Sequence, residues 1–197
     1  MAHSLVTNPG PHKWGTTRVL SAADVMALDS MVCPIIEIER EHMAKSATDS
    51  FGFCGVGIPG DETWMGVILV TSSTGIPRTH PVSASGINND TAALMTVFIA
   101  SESIPIPIAK KLCQVLVKHL RTTVNCLEAQ ASPPGIPHTV LTPAPSLLLS
   151  LGFQPIRYPA QRYRLTFSSL ASWMYNRLEW FHRPGIQLSD QPANRTL

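Results

Sequence analysis

The chain has 197 residues, of which 44% are hydrophobic and 14% are charged. This length and apolar content predict one folded domain with a sizeable core, and they exclude a chain that is disordered throughout. The net charge of +2 comes without a stripe or cluster of Lys and Arg, so the sequence gives no argument for a nucleic-acid partner.

The first elements along the chain are a strand and two helices. Residues 1–15 are polar and rich in Pro and Gly, which is typical of a loose tail, and residues 17–20 predict a short strand. Ser21 is a good N-cap with Asp24 three residues into the next helix. Residues 35–47 predict a second helix.

A hairpin and a third strand come next. Residues 51–58 alternate glycine with apolar side chains and predict a strand, and residues 63–73 predict its partner after a Pro-Gly-Asp-Glu turn. Residues 75–89 are rich in Pro, Gly, Ser and Asn, which favours a loop. Residues 91–100 predict the third long strand.

The second half alternates helices with strands. Apolar residues at helical spacing predict a helix up to about Thr122, and residues 124–131 predict a strand. The Pro-rich loop 132–137 is either a flap over a site or a connector. Residues 146–151 predict a short helix with Gly152 after its end. The apolar positions of the helix that ends near Thr122 are Ile108, Leu112, Val115, Leu116 and Leu120.

The last elements complete one domain. Residues 153–157 and 161–167 predict two strands, and Ser168 or Ser169 begins a final helix that runs to His182. We therefore expect a domain over residues 16–183 and a tail over 184–197. The element order predicts an α/β or α+β fold with a mixed sheet.

Motifs for metals, disulfides and export are missing from the sequence. The four cysteines form no CxxC pair, which favours buried free thiols in a reducing compartment, and the seven histidines show no metal-binding spacing. The N-terminus lacks a signal-peptide pattern, and the apolar runs are far shorter than the roughly 20 residues of a membrane helix. We expect a cytoplasmic protein with no bound metal and no membrane partner.

One stretch, residues 97–116, reads as a buried strand that runs almost directly into an amphipathic helix. Such a junction favours anions, because the first N–H groups of a helix are free and its dipole is positive there. Pro105 and Pro107 stand where an anion site would prefer glycine. The stretch therefore predicts either an anion site with fewer donors than usual or a strand-to-helix corner that the prolines stiffen and that binds no ligand.

The element order and two segments resemble the GCN5-related N-acetyltransferase (GNAT) family. The segments are RVLSAAD at residues 18–24 and LLLSLGF at residues 147–153, and the resemblance spans about residues 16–167. It implies an acyl-CoA N-acyltransferase-like fold, with a mixed and mostly antiparallel central sheet flanked by helices. It also implies acetyl-CoA as co-substrate, held in a V-shaped opening between two splayed strands.

The resemblance implies a set of cofactor-contacting positions. The family binds pyrophosphate with Arg or Gln, two residues, Gly, one residue, and Gly or Ala. The equivalent positions here run from Ile104 to Ala109, and only Ala109 fits. The oxyanion donor would be an N–H of the third strand between Ile99 and Ser101. The predicted contacts are Ile99, Ala100, Ser101, Ile104, Ile106, Ile108, Ala109 and Lys110.

Acetyl transfer also needs groups that move protons. Glu128, between apolar neighbours on a strand, and Glu102, at the end of the third strand, are the predicted bases. The alternatives are a solvent-facing Glu128 and a Glu102 that is only an acid at a helix N-terminus, where the helix dipole favours it. Leu148 and Leu141 stand where the family often has a tyrosine acid and an asparagine.

Three functions stay open. The first is acetyl transfer from acetyl-CoA to the amine of a small molecule or protein, with specificity from the first helices and loop 75–89. The second is a GNAT-fold binding or regulatory protein without turnover. The third is an unrelated α+β interaction protein. A homodimer is compatible with each of them.

Overall fold

The computed structural model describes residues 15–85, 87–100, 105–156 and 161–167. These residues form seven strands, four α-helices and two short 3₁₀ segments, Ser73–Gly75 and Pro81–Ser85. The strands and helices in chain order are β1 (Arg18–Leu20), α1 (Ala22–Met26), α2 (Glu37–Phe51), β2 (Gly55–Pro59), β3 (Trp64–Thr71), β4 (Thr91–Ile99), α3 (Pro105–Leu120), β5 (Cys126–Gln130), α4 (Pro145–Ser150), β6 (Gln154–Pro155) and β7 (Arg162–Thr166).

One sheet contains all seven described strands, in the order β1-β2-β3-β4-β5-β7-β6. The pairing is antiparallel except between β4 and β5, which are parallel and are joined by the crossover helix α3. The prediction of a mixed, mostly antiparallel sheet flanked by helices is therefore confirmed.

Each face of the sheet packs against its own pair of helices. On one face, Leu94 and Val97 of β4 join a core with α3 and α4, and on the other face Met95 joins a core with α1 and α2. A glycine lets α3 approach β3 closely: a Cβ on Gly66 would lie 2.8 Å from Cγ2 of Ile108. The start of α3 is thus seated directly on the sheet.

The first helix begins as the sequence predicts. The Ser21 hydroxyl accepts a hydrogen bond from Asp24 N at 3.2 Å, and the Asp24 carboxylate accepts from Ser21 N at 2.8 Å. This capping box supplies partners for donors that a helix start leaves unpaired. The hydrogen bonds from Ser21, helped by the Arg18 cation, lower the pKa of Asp24.

The predicted strand over residues 51–58 is wrong in its first part. Helix α2 continues through Phe51 and ends at Gly52, which has φ 78° and donates its N–H to Thr48 O at 2.8 Å. A left-handed backbone favours glycine, so Gly52 closes the helix instead of belonging to a strand. Strand β2 begins only at Gly55.

Other element predictions hold with shorter bounds. Gly152 comes after α4 with φ 92°, as a residue after a helix C-cap often does. The four cysteines are buried free thiols, which confirms that prediction. The predicted final helix from Ser168 and both predicted tails, apart from Gly15, lie outside the described residues. Across the described ranges, every helix is too short or too polar to traverse a bilayer.

Candidate functional site

Strands β4 and β5 pair over only three positions before they part. Thr91 lies opposite Cys126, Ala92 opposite Leu127 and Ala93 opposite Glu128. Strand β4 then continues to Ile99, and the remaining residues of β5 pair only with β7 on their other side. The opening beyond Ala93 and Glu128 is here called the β4–β5 cleft.

A β-bulge lies where the cleft begins. Thr96 pairs with Leu69 and Leu94 pairs with Val70, so Met95 is the extra residue. A bulge increases the local twist of a strand and bends the strand at that point. The bulge therefore turns the second half of β4 relative to the first.

Backbone donors of β4 face the cleft. Ala100 N donates to Met65 O of β3 at 3.0 Å, whereas Val97 N donates away from β3, to Val140 O at 2.7 Å. Because successive N–H groups of a strand point to opposite edges, the N–H of Ile99 points to the same side as that of Val97. Among the predicted oxyanion donors, Ala100 is thus engaged with β3 and Ile99 faces the cleft.

Glu128 lies at the closed end of the cleft and is 3% exposed, so the solvent-facing alternative is wrong. Its Oε2 accepts from Arg162 Nη1 at 2.9 Å, and its Oε1 accepts from Arg164 Nε at 2.9 Å and Nη2 at 2.6 Å. The Glu128 carboxylate in turn raises the pKa of Arg164 through its hydrogen bond. Both carboxylate oxygens are therefore engaged, and a role of Glu128 as a base stays a prediction.

The loop before β4 joins this buried network. Arg162 Nη2 donates to Val82 O at 2.9 Å. His80 is buried; its Nε2 donates to Met95 O at the bulge at 2.8 Å, and its Nδ1 accepts from Val82 N at 3.2 Å. These partners fix a neutral ring, and burial, with a contribution from the Arg162 cation, lowers the pKa of His80.

His80, Arg162 and Arg164 are site residues that the sequence did not predict. The two arginines carried a readable signal, because they alternate with Tyr163 and Leu165 on a strand and so share one face. His80 gave none, since it lies in a loop whose path over the bulge is a long-range feature.

The start of α3 has few free donors. In a helix that begins at Pro105, Ala109 N–H bonds to the Pro105 carbonyl, and the prolines have no N–H. Among the four N–H groups that this helix start leaves unpaired, Ile106 carries the one that belongs to a described residue, and its side chain is 42% exposed. Ile108 and Ala109 are buried, and Lys110 is half-buried. Ser101, Glu102 and Ile104 lie outside the described residues.

No acid occupies the position of the family's tyrosine. Leu148 is fully buried in the core between the sheet and α3. Ser150 donates its hydroxyl to Leu147 O at 2.7 Å, and Leu141 is half-buried. An aliphatic side chain cannot donate a proton, so neither Leu148 nor Leu141 supplies one.

A groove runs between α2 and the loop after β3. Two adjoining cavities of about 530 and 250 Å³ share His42 and Thr74, whose Nε2 and backbone O are 3.0 Å apart. Glu39 in its wall accepts from Arg78 N at 3.1 Å and from the Thr79 hydroxyl. Within the described part of the chain, no group of His, Cys, Asp and Glu could hold a metal ion.

Comparison with known proteins identifies the fold. No family model and no curated protein matches the sequence. The aminoglycoside acetyltransferase AAC(6')-Ib in complex with coenzyme A matches with TM-score 0.52 and 13% identity, over 80% of this chain and 97% of that one.

Two Escherichia coli structures also align. The ribosomal-protein-S18-alanine N-acetyltransferase has TM-score 0.47 and 15% identity, over 77% of this chain and 93% of that one. The GNAT family N-acetyltransferase YhbS in complex with CoA has TM-score 0.47 and 14% identity, over 84% of this chain and 88% of that one. Of these three, the aminoglycoside acetyltransferase, with a TM-score above 0.5, carries the fold assignment, and the chain has the fold of the GNAT acetyltransferases.

Proposed function

Because the chain has the GNAT acetyltransferase fold, we propose that it transfers an acetyl group from acetyl-CoA to an amine, with the β4–β5 cleft as the acyl-CoA site. The observation that carries the proposal is the early end of β4–β5 pairing at Ala93 and Glu128. Because the pairing ends there, the N–H of Ile99 points into an opening. The N–H of Val97 points into the same opening once Val140 O has left it.

The cleft fits the amide-containing arm of CoA. An extended chain with amide groups can add to an open strand edge through main-chain hydrogen bonds, and β4 offers such an edge at Val97 and Ile99. When bound, acetyl-CoA supplies an activated acetyl thioester. The Ile99 N–H is the proposed donor to the developing oxyanion of that thioester.

The start of α3 fits the pyrophosphate less well. The helix dipole and the Ile106 N–H remain, and Lys110 adds a cation in the first turns. Pro105 and Pro107 remove two of the four N–H groups that a helix start leaves unpaired. We therefore propose CoA binding that is weaker at the pyrophosphate than a glycine-containing loop would give.

The proton steps fall to groups other than Leu148. Glu102 and Glu128 stay the proposed bases for the amine. For Glu128 the alternative to a base is a positioning role at the closed end of the cleft, which the two arginine partners of its carboxylate support. Water is the proposed proton donor to the departing thiolate.

The groove beside α2 is the proposed binding site of the acceptor amine. It is lined by apolar Ile38, Ile76 and Pro77 together with polar His42 and Arg78, which suits an amphipathic amine. The loop that forms it continues to His80 at the β4 bulge. The four buried thiols support a reducing compartment, the cytoplasm.

A second candidate function is binding of acyl-CoA without turnover. The burial of Leu148 favours it, since an acid is missing at that position and an aliphatic side chain completes the core there. Such a protein would use the cleft as a sensor or regulatory site.

Calorimetric titration of the full chain with acetyl-CoA tests the proposal, followed by a free-thiol assay with a panel of amines. We expect saturable binding and thiol release with at least one amine. Binding without thiol release across the panel favours the second candidate. The absence of binding at millimolar acetyl-CoA contradicts both candidates.

A further inference from the structure

The open edge of β4 is bridged by residues 139–142, here called the strap. Val97 N donates to Val140 O at 2.7 Å, and Ser132 N donates to Pro143 O at 3.1 Å just beyond the strap. The strap thus returns from the loop after β5 and places a carbonyl on β4 beyond the last β4–β5 pair.

The strap is held together mainly by one threonine. The Thr139 hydroxyl oxygen accepts from Leu141 N at 3.2 Å and from Thr142 N at 3.1 Å, and it lies 2.9 Å from the Thr142 hydroxyl. Thr139 N also donates to Thr142 O at 3.0 Å. Residues 133–138 before it and Thr139 itself are exposed. A segment with exposed hydrogen bonds and a solvent-facing lead-in belongs to the low end of local stability.

The strap occupies a donor that a ligand in the cleft would use. Val97 and Ile99 are two residues apart, so their N–H groups repeat along the edge at roughly 6.4–6.8 Å. A ligand that lies along β4 and takes both donors competes with Val140 O for the first of them. The second donor, Ile99, lies nearer the start of α3.

We propose that the strap is an autoinhibitory contact, whose release from Val97 is required before acyl-CoA fills the β4–β5 cleft. This inference rests on the proposed function. The closed form is the one described here, and acyl-CoA binds the form in which Val140 O has left the Val97 N–H. The apparent Kd then equals the intrinsic Kd divided by the fraction of open molecules.

The test compares Thr139→Ala with Thr139→Ser in the full chain. The alanine removes the hydroxyl that holds the strap, whereas the serine keeps it, and Thr139 is exposed, so neither change disturbs the core. Two quantities are measured: amide hydrogen exchange at Val97, with Val56 of β2 as a reference, and the Kd of CoA by calorimetry.

For Thr139→Ala we expect about tenfold faster exchange at Val97, unchanged exchange at Val56 and a CoA Kd lower by up to about tenfold. Thr139→Ser matches the wild type in both. Unchanged exchange at Val97, or faster exchange with an unchanged or higher Kd, overturns the proposal while leaving acyl-CoA binding intact. If the wild type and both variants all fail to bind CoA, the proposed function is wrong, and the autoinhibitory role of the strap is wrong as well.

Discussion

The two ends of β4 contrast in how their polar groups are satisfied. At Thr91–Ala93 the strand pairs with β5, and Ala93 also pairs with Thr71 of β3; this end lies beside the Glu128 carboxylate, which two arginines bind. From Val97 to Ile99 the described residues show one hydrogen bond at the cleft edge from outside the sheet, that of Val97 N to Val140 O of the strap. A dense buried network thus fixes the closed end, whereas the open end keeps the Ile99 N–H directed into the cleft, where the proposed ligand would meet it.

The largest expected effect is that of Glu128→Gln, which breaks the ion pairs with Arg162 and Arg164 at the closed end of the cleft. The amide leaves two guanidinium groups beside a neutral side chain in a buried site, and loss of one partner of a buried ion pair costs about 3–5 kcal/mol. Urea unfolding should show this loss in the free energy of unfolding.

The matched control is Asp49→Asn, which breaks the exposed pair with Lys45. Solvent screens that pair, so we expect no measurable change. A loss at Glu128 as small as that at Asp49 would mean that the network does not fix the closed end.

Pro105→Gly combined with Pro107→Gly tests whether the start of α3, beyond the open end of β4, binds the pyrophosphate of CoA. The two glycines restore two N–H donors at the start of α3, and each hydrogen bond to a charged group is worth roughly 1.5–3 kcal/mol. CoA affinity should rise by about tenfold or more in calorimetry, since every 1.4 kcal/mol is tenfold.

Pro34→Gly, an exposed proline between α1 and α2, controls for the flexibility that glycine adds. Circular dichroism checks that α3 is retained in the double variant. Equal or weaker CoA binding by a folded double variant would show that the pyrophosphate does not lie at this helix start.

The smallest expected effect is the pH dependence from His80. Its folded-state pKa is lowered by burial, so below the unfolded value of about 6.5 the unfolded chain binds a proton that the folded chain does not. The contribution of His80 to the free energy of unfolding is therefore fully present above the unfolded pKa. It declines as the pH falls from that value towards the lowered pKa of the folded state.

His80→Gln removes this proton-linked term. Urea midpoints at pH 7.5 and pH 5.5 should differ less for the variant than for the wild type. Asp24 does not interfere, because its pKa is lowered from 3.8 and the carboxylate stays ionised in both states over this window. An equal pH dependence in both proteins would contradict the account of His80.

Local patterns predicted much of the fold. The Ser21 cap, the apolar strands β3 and β4 and the helical spacing of α3 are readable because each depends on neighbours in sequence. The predicted strand at Phe51 failed because glycine alternation suits both a strand and a helix end. The resemblance to the GNAT family supplied the rest of the fold class.

The candidate site was less readable. The splayed strands were expected from the family, but Glu128 meets Arg162 and Arg164 across 34 and 36 residues of chain, and His80 reaches Met95 from a loop. The strap was unpredictable because Val140 contacts Val97 through its carbonyl, which every residue carries. Only the three-dimensional path of the chain brings these groups together.

The most direct test of acyl-CoA binding at the open edge of β4 is a titration of the ¹⁵N-labelled full chain with CoA, monitored by amide chemical shifts. If acyl-CoA binds along this edge, CoA causes saturable shifts at Val97 and Ile99 and leaves Thr91 to Ala93 unchanged. Saturable binding whose shifts avoid Val97 and Ile99 and gather at His42 and Thr74 of the α2 groove would contradict it.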